Sequence, residues 1–194
     1  MKKILLGSIA LATIATLAFT YGDPLQIGNT MPKADLKMKN INNKDVSMKD
    51  VKKENGILVM FSCNTCPYVV KNQERTLAIS NFADKNKVGV IILNSNEAYR
   101  GNEDSFGAMQ SYAKDQGYQN HEVADAFGAN RTPECFLFDK NLKLVYHGAI
   151  DDSPSDVTAI KRIHLQEAIN EMVAGKDVTV KESRSVGCSI KRNK

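Results

Sequence analysis

The chain has 194 residues, 42% of them apolar and 25% charged, with a formal net charge of +4. That length accommodates one domain with a real core, and the composition is that of an ordinary globular protein. Beyond residue 22, 24 basic residues face 22 acidic ones, a balance too even to argue for nucleic acid or an anionic membrane surface, and no basic face with interleaved aromatics is present.

Residues 1–22 read as a secretory signal peptide. Lys2 and Lys3 form the charged start, and Ile4 to Leu17 form an apolar stretch too short for a comfortable membrane span. The competing reading is an uncleaved N-terminal anchor. All four cysteines, 63, 66, 135 and 188, follow this stretch, so export would place them where disulfides persist. The divisions expected are a leader over 1–22, a domain over 23–175 and a polar C-terminal tail over 176–194 that contains Cys188.

Residues 23–56 are polar, with weak alternation that predicts a short β-hairpin turning near Asn42-Asn43. Ile57 to Ser62 is an unbroken apolar run of the kind that forms a buried strand. Cys63-Asn64-Thr65-Cys66 follows, and then Pro67, which suits the first turn of a helix. A helix is expected from about Pro67 to Ala83, with Val70, Leu77, Ala78 and Phe82 inward. Val88 to Leu93 is a second buried strand. Asn102 is expected to cap a helix whose first turn carries Glu103 and Asp104 and whose inner stripe is Phe106, Met109 and Ala113. A short helix is expected over His121 to Phe127. Strands at 134–138 and 142–147 form an antiparallel hairpin around Asp139-Lys140-Asn141. A last helix is expected over Val157 to Ala174, ended by Gly175. This order predicts an α/β architecture with a mixed central sheet and helices on both faces.

The cysteine pair sits where a strand ends and a helix begins. There the free N–H groups and the helix dipole favour a thiolate, the nucleophile of disulfide exchange. A purely structural disulfide is the rival reading, but a ring this small stabilises little by chain entropy. Cys-x-x-Cys at such a junction resembles the thioredoxin-type redox motif. The resemblance narrows through Cys63-Asn64-Thr65-Cys66-Pro67-Tyr68-Val69, Glu103-Asp104-Ser105-Phe106, Val123 to Ala129, Arg131-Thr132-Pro133-Glu134 and Gly187-Cys188-Ser189-Ile190-Lys191. Over about residues 25–191 the chain resembles a bacterial branch of thioredoxin-like, peroxiredoxin-related proteins, the alkyl hydroperoxide reductase/thiol-specific antioxidant-like family.

That resemblance implies a thioredoxin fold and a thiol–disulfide oxidoreductase that needs no cofactor. Its partners would be disulfide-containing protein substrates and a redox protein that gives or takes electrons. Cys63 would be the exposed attacker and Cys66 the buried resolver. Pro133 would be cis, leaving the Thr132 backbone open to an extended substrate chain. Three departures stand out. Ser62 and Met60 occupy the places where thioredoxins carry a tryptophan and a buried aspartate, so a buried carboxylate is absent or comes from elsewhere. Neither Cys63 nor Cys66 has the Thr or Ser three residues earlier that marks a peroxidatic cysteine. The stretch Gly117 to His121 is shorter than in relatives.

Cys135, inside a strand, reads as a buried inert thiol. Cys188 reads either as a third redox thiol docking near Cys63 or as a staple to Cys135. His121, His147 and His164 read as structural or solvated. A copper chaperone is a rival function, and His147 is the best candidate to join Cys63 and Cys66 as a ligand in it. A thiol peroxidase and a non-catalytic binding module are two more rivals. Asp151-Asp152 reads as a solvated turn, and Lys191 to Lys194 as a solubilising end.

Overall fold

The computed structural model describes residues 24–99, 101–116 and 125–192. The expected leader, the short segment at Gly117 to His121 and most of the helix expected at His121 to Phe127 lie outside these residues. The hairpin forms as expected: β1 (Met38–Lys39) pairs antiparallel with β2 (Asp45–Val46), and Asn43 takes φ 60° at the turn between them. Helix α1 (Met48–Val51) follows at once. Ser47 caps it, its hydroxyl accepting from the Asp50 N–H while the Asp50 carboxylate accepts from the Ser47 N–H.

Four strands build the central sheet: β3 (Gly56–Ser62), β4 (Val88–Asn94), β6 (Glu134–Asp139) and β7 (Leu144–Gly148), in the order β4-β3-β6-β7. β3 runs parallel to β4 and antiparallel to β6, and β7 returns antiparallel to β6, so the sheet is mixed. The two-residue period of β3 divides its apolar run between two cores. Ile57, Val59 and Phe61 face one core with Phe127, Phe136 and Phe138; Leu58 and Met60 face the other with Leu137, Tyr146 and Leu165. In the first core Phe127 meets Phe61, Phe136 and Phe138 edge to face at centroid separations of 5.3–5.7 Å. Each such contact contributes roughly 0.5–1.5 kcal/mol beyond the area buried. Met48 of α1 packs in that core. The other face is covered by α3 (Gln73–Lys85) and α5 (His164–Val173). Among the described residues no helix is long and apolar enough to cross a membrane.

The helices depart from expectation for identifiable reasons. The one expected from Pro67 is two, α2 (Pro67–Lys71) and α3, joined at Asn72. The Asn72 side chain donates back to the Tyr68 carbonyl at 2.7 Å and across to the Pro154 carbonyl at 3.2 Å, a local bond that competes with the helix ladder. The inward face is Val69, Asn72, Thr76, Ile79 and Ala83, whereas Val70, Leu77 and Ala78 are exposed. Two polar residues occupy that buried stripe, so counting apolar positions selects the wrong face; Phe82 alone of the expected set packs partly inward. Helix α4 (Phe106–Gln116) starts after a turn that includes Glu103 and Asp104. α5 starts at His164, with only a turn of 3₁₀ helix at Val157–Ala159. Between them the Lys161 N–H donates to Asp152 and the Arg162 carbonyl accepts from the Asp152 N–H, so these backbone groups serve the preceding loop instead of a helix. Gly175, at φ 69°, ends α5 as expected.

Asp151 is not in a solvated turn. It is 3% exposed, and its carboxylate accepts from Arg75 of α3 at 3.0 and 2.8 Å and from the Ser153 N–H at 2.9 Å. Residues 176–192 pack against the sheet. His147 exchanges backbone hydrogen bonds with Lys181 and Ser183, Val178 and Ile190 are buried, and β8 (Cys188–Ser189) pairs antiparallel with β5 (Arg131–Thr132).

Candidate active site

β3 delivers Cys63 at its C-terminal end, and Cys66 stands at the N-cap of α2 with Pro67 at the first helical position. The loop between them is held from beneath. Asp104, fully buried, accepts the Asn64 N–H at 2.8 Å, the Asn94 amide at 2.6 Å and the Asn96 amide at 3.1 Å. The Asn64 side chain in turn donates to the Glu103 carbonyl at 2.8 Å. This buried carboxylate comes from the turn before α4, not from β3, and supports the cysteine loop. Its signal in the sequence is the set Asn64, Asn94 and Asn96 at the ends of two buried strands, short amides that need an acceptor once buried. Asp104 holds the cysteine loop and does not serve the helix dipole expected of it.

Thr132 closes the site from the sheet side. Its hydroxyl lies 3.4 Å from Cys63 Sγ, and its carbonyl accepts from the Cys66 thiol at 3.3 Å. The Thr132-Pro133 peptide bond is cis. Glu134, the next residue, accepts the backbone N–H of Asn130 and Arg131 through one oxygen and meets His147 Nε2 at 2.8 Å through the other. The His147 ring stacks on Phe136. His147 thus braces the chain entering β5 and does not join the thiols. Among the described residues no group of three or more His, Cys, Asp or Glu is placed to hold a metal ion.

Both active thiols are buried, Cys63 at 2% and Cys66 at 3% exposure. The expected contrast between an exposed and a buried sulfur is therefore absent, and the two differ by electrostatics. The hydrogen bond from Cys63 draws the Cys66 thiol down to about 4 against the cost of burial, and Cys188, the Val69 amide and Thr132 add to the effect. The same S–H···S bond pushes Cys63 up, with burial adding to it. The pair behaves as one unit holding a single proton and a single negative charge.

The two remaining cysteines separate cleanly. Cys135 is fully buried in the second core, its side chain among Met60, Leu137 and Tyr146, and burial pushes its thiol far up. Cys188 packs against Cys63, Cys66 and Val69 and hydrogen-bonds the Cys66 sulfur. The tail thus docks at the active pair, away from Cys135, and all four cysteines are thiols. Thr132 is fully buried because β8 covers it, so the edge expected to be open is filled by this chain's own residues. A cleft of about 450 Å³ lined by Asn55, Asp139, Lys140 and Lys143 lies at the other end of β3 and does not touch the pair.

The Redoxin family model matches residues 26–162. A crystal structure of an uncharacterized conserved protein from Geobacillus kaustophilus is 30% identical, covers 90% of this chain and 96% of its own, and superposes with a TM-score of 0.81. A hypothetical protein from Sinorhizobium meliloti is 28% identical over 90% of this chain and 98% of its own, with a TM-score of 0.78. The thioredoxin domain of a thiol-disulfide oxidoreductase from Bacteroides vulgatus, 15% identical over 63% of this chain and 88% of its own, shares the fold with a TM-score of 0.52. No curated protein matches the sequence.

Proposed function

The chain belongs to the Redoxin family, as a thiol-based redox protein of thioredoxin-like fold, and from that premise we propose that it is an exported thiol–disulfide oxidoreductase that reduces protein disulfides. One observation carries the reading: two thiols packed together at a strand-to-helix junction both touch Thr132, and their proximity lowers one thiol and raises the other. A pair that holds a thiolate at neutral pH is poised to attack a disulfide.

Cys63 makes the first attack. Cys66 is tied to the Thr132 carbonyl as well as packed against Cys188, which suits it to the resolving role. Cys63 first passes the shared proton to Cys66; as the Cys63 thiolate then bonds one substrate sulfur, the substrate S–S bond breaks and the other sulfur leaves as a thiolate that takes the proton from Cys66. Cys66, having lost its proton, attacks the Cys63 sulfur and releases the second thiolate. The product is a Cys63–Cys66 disulfide and a substrate reduced by two electrons, which a partner redox protein later restores to the enzyme. The charged and apolar leader at Lys2 to Leu17 supports export to the periplasm or the extracellular space.

The test is insulin reduction by the purified protein with dithiothreitol as donor. Wild type is expected to turn over, Cys63→Ser to be inactive, and Cys66→Ser to accumulate a mixed disulfide through Cys63. Turnover retained in Cys63→Ser would overturn the assignment of the nucleophile, and absence of turnover in wild type would overturn the reaction class.

A further inference from the structure

Cys66 has two sulfur neighbours. Cys63 packs beside it from the loop, and Cys188 packs against the two from the tail. The tail is built to bring Cys188 there. β8 lies antiparallel against β5 with Cys188 opposite Thr132 and Ser189 opposite Arg131, which is how an extended peptide adds to a free sheet edge. Gly187 passes so close to Thr132 that an added Cβ would stand 2.0 Å from its carbonyl oxygen. On either side of the thiol the strand is tied down. Arg131 donates to the Gly187 carbonyl at 3.3 Å, the Ile190 N–H to the Asn130 carbonyl at 3.1 Å, and the Lys191 N–H to Asn96 at 3.0 Å. Asn96 also donates to Asp104, which holds the Asn64 N–H, so tail and cysteine loop hang from one carboxylate.

We infer that Gly187–Ser189 is a built-in substrate strand on the Thr132 edge, and that Cys188 is a third redox thiol that exchanges with Cys66. The inference deepens the reading above and rests on it. In the oxidised enzyme the Cys188 thiolate attacks the Cys66 sulfur. The Cys63–Cys66 bond breaks as the Cys66–Cys188 bond forms, and Cys63 leaves as a thiolate that takes up the proton Cys188 gave away. No electrons enter or leave; the oxidising equivalent moves to the tail and the nucleophile is freed.

The experiment is peptide mapping after acid quench of wild type, Cys63→Ser and Cys63→Ser/Cys188→Ser, each oxidised with diamide. Wild type is expected to contain both the Cys63–Cys66 and the Cys66–Cys188 linkages. Cys63→Ser is expected to contain Cys66–Cys188 alone, with iodoacetamide labelling of Cys188 lowered at least about tenfold relative to the reduced variant. The double variant is expected to hold no intramolecular disulfide at Cys66. Cys188 fully alkylatable in both oxidised wild type and oxidised Cys63→Ser would overturn the inference. The insulin assay separates the two readings. Turnover without the Cys66–Cys188 linkage defeats the exchange and spares the oxidoreductase. The linkage without turnover defeats the oxidoreductase and spares the exchange.

Discussion

Replacing Gly187 by alanine tests how tightly the tail is seated. The new Cβ would lie 2.0 Å from the Thr132 oxygen and 2.7 Å from its carbonyl carbon. Carbon contacts settle near 3.5–4.0 Å, so β5 and β8 must separate by about 1.5 Å. The neighbour is backbone and cannot swing aside. Overpacking of this kind costs about 1–3 kcal/mol if the strand stays in place. Releasing the tail forfeits the burial of Ile190, now 6% exposed, worth about 1.5–3 kcal/mol. It also breaks the Ile190 and Lys191 backbone bonds, worth about 0.5–1.5 kcal/mol each. Release therefore costs about 3–6 kcal/mol and is the dearer course. The entropy gained by removing a glycine from the unfolded chain returns only about 0.4–1 kcal/mol. Gly187→Ala is expected to lower unfolding stability in urea by about 1–3 kcal/mol and to speed iodoacetamide labelling of Cys188 in the folded protein about tenfold. A stability within about 0.5 kcal/mol of wild type, with unchanged labelling, would refute the seating of the tail.

Two further outcomes are expected. The Cys66 thiol is depressed on folding to about 4, so its contribution is complete above the unfolded value of about 8.5 and is lost as pH falls toward 4. Cys63 is raised, so folding is disfavoured once the unfolded Cys63 ionises above that value. The urea midpoint of the reduced protein should climb from pH 5 to 8 and drop above 9, and Cys66→Ala should lack the climb; identical pH profiles would count against the shared charge. Arg75→Met leaves the Asp151 carboxylate, whose side chain is 2% exposed, with the Ser153 N–H but without its charged partner, and should cost about 3–5 kcal/mol. Arg75→Met/Asp151→Leu should recover most of that loss, and a single variant within about 1 kcal/mol of wild type would refute the burial argument.

What is legible before folding is what one element decides alone. The run Ile57 to Ser62 is apolar on both sides of the pleat, which only a strand buried on both faces requires. The hairpin of β6 and β7 follows from alternation and from Asp139, whose side chain accepts the Asn141 and Lys143 N–H in the turn. What is not legible depends on partners far along the chain. Asp104 resembles any helix-start acid until Asn94 and Asn96 arrive beside it. Asn72 and Thr76 resemble surface residues until the loop at Pro154 reaches Asn72. Asp151 resembles a turn residue until Arg75 bridges it. β8 is two residues long, too short for any period, and its place is set by β5 and by Asn130 and Asn96. The candidate site is legible as a motif and the docking of its tail cysteine as one of two alternatives, while the support beneath the loop is not.

Cys135 gives the molecule an internal reporter of how it opens. It lies in the core that α3 and α5 cover, apart from the small cluster of the other three thiols, with no exposure at all. A reagent reaches Cys188 when the tail alone lifts, and the active pair when the loop and tail part. It reaches Cys135 only when the helix layer leaves the sheet. Timed alkylation of one sample therefore ranks three openings of increasing extent, and the slowest thiol measures the stability of the whole fold while the faster ones measure the working end.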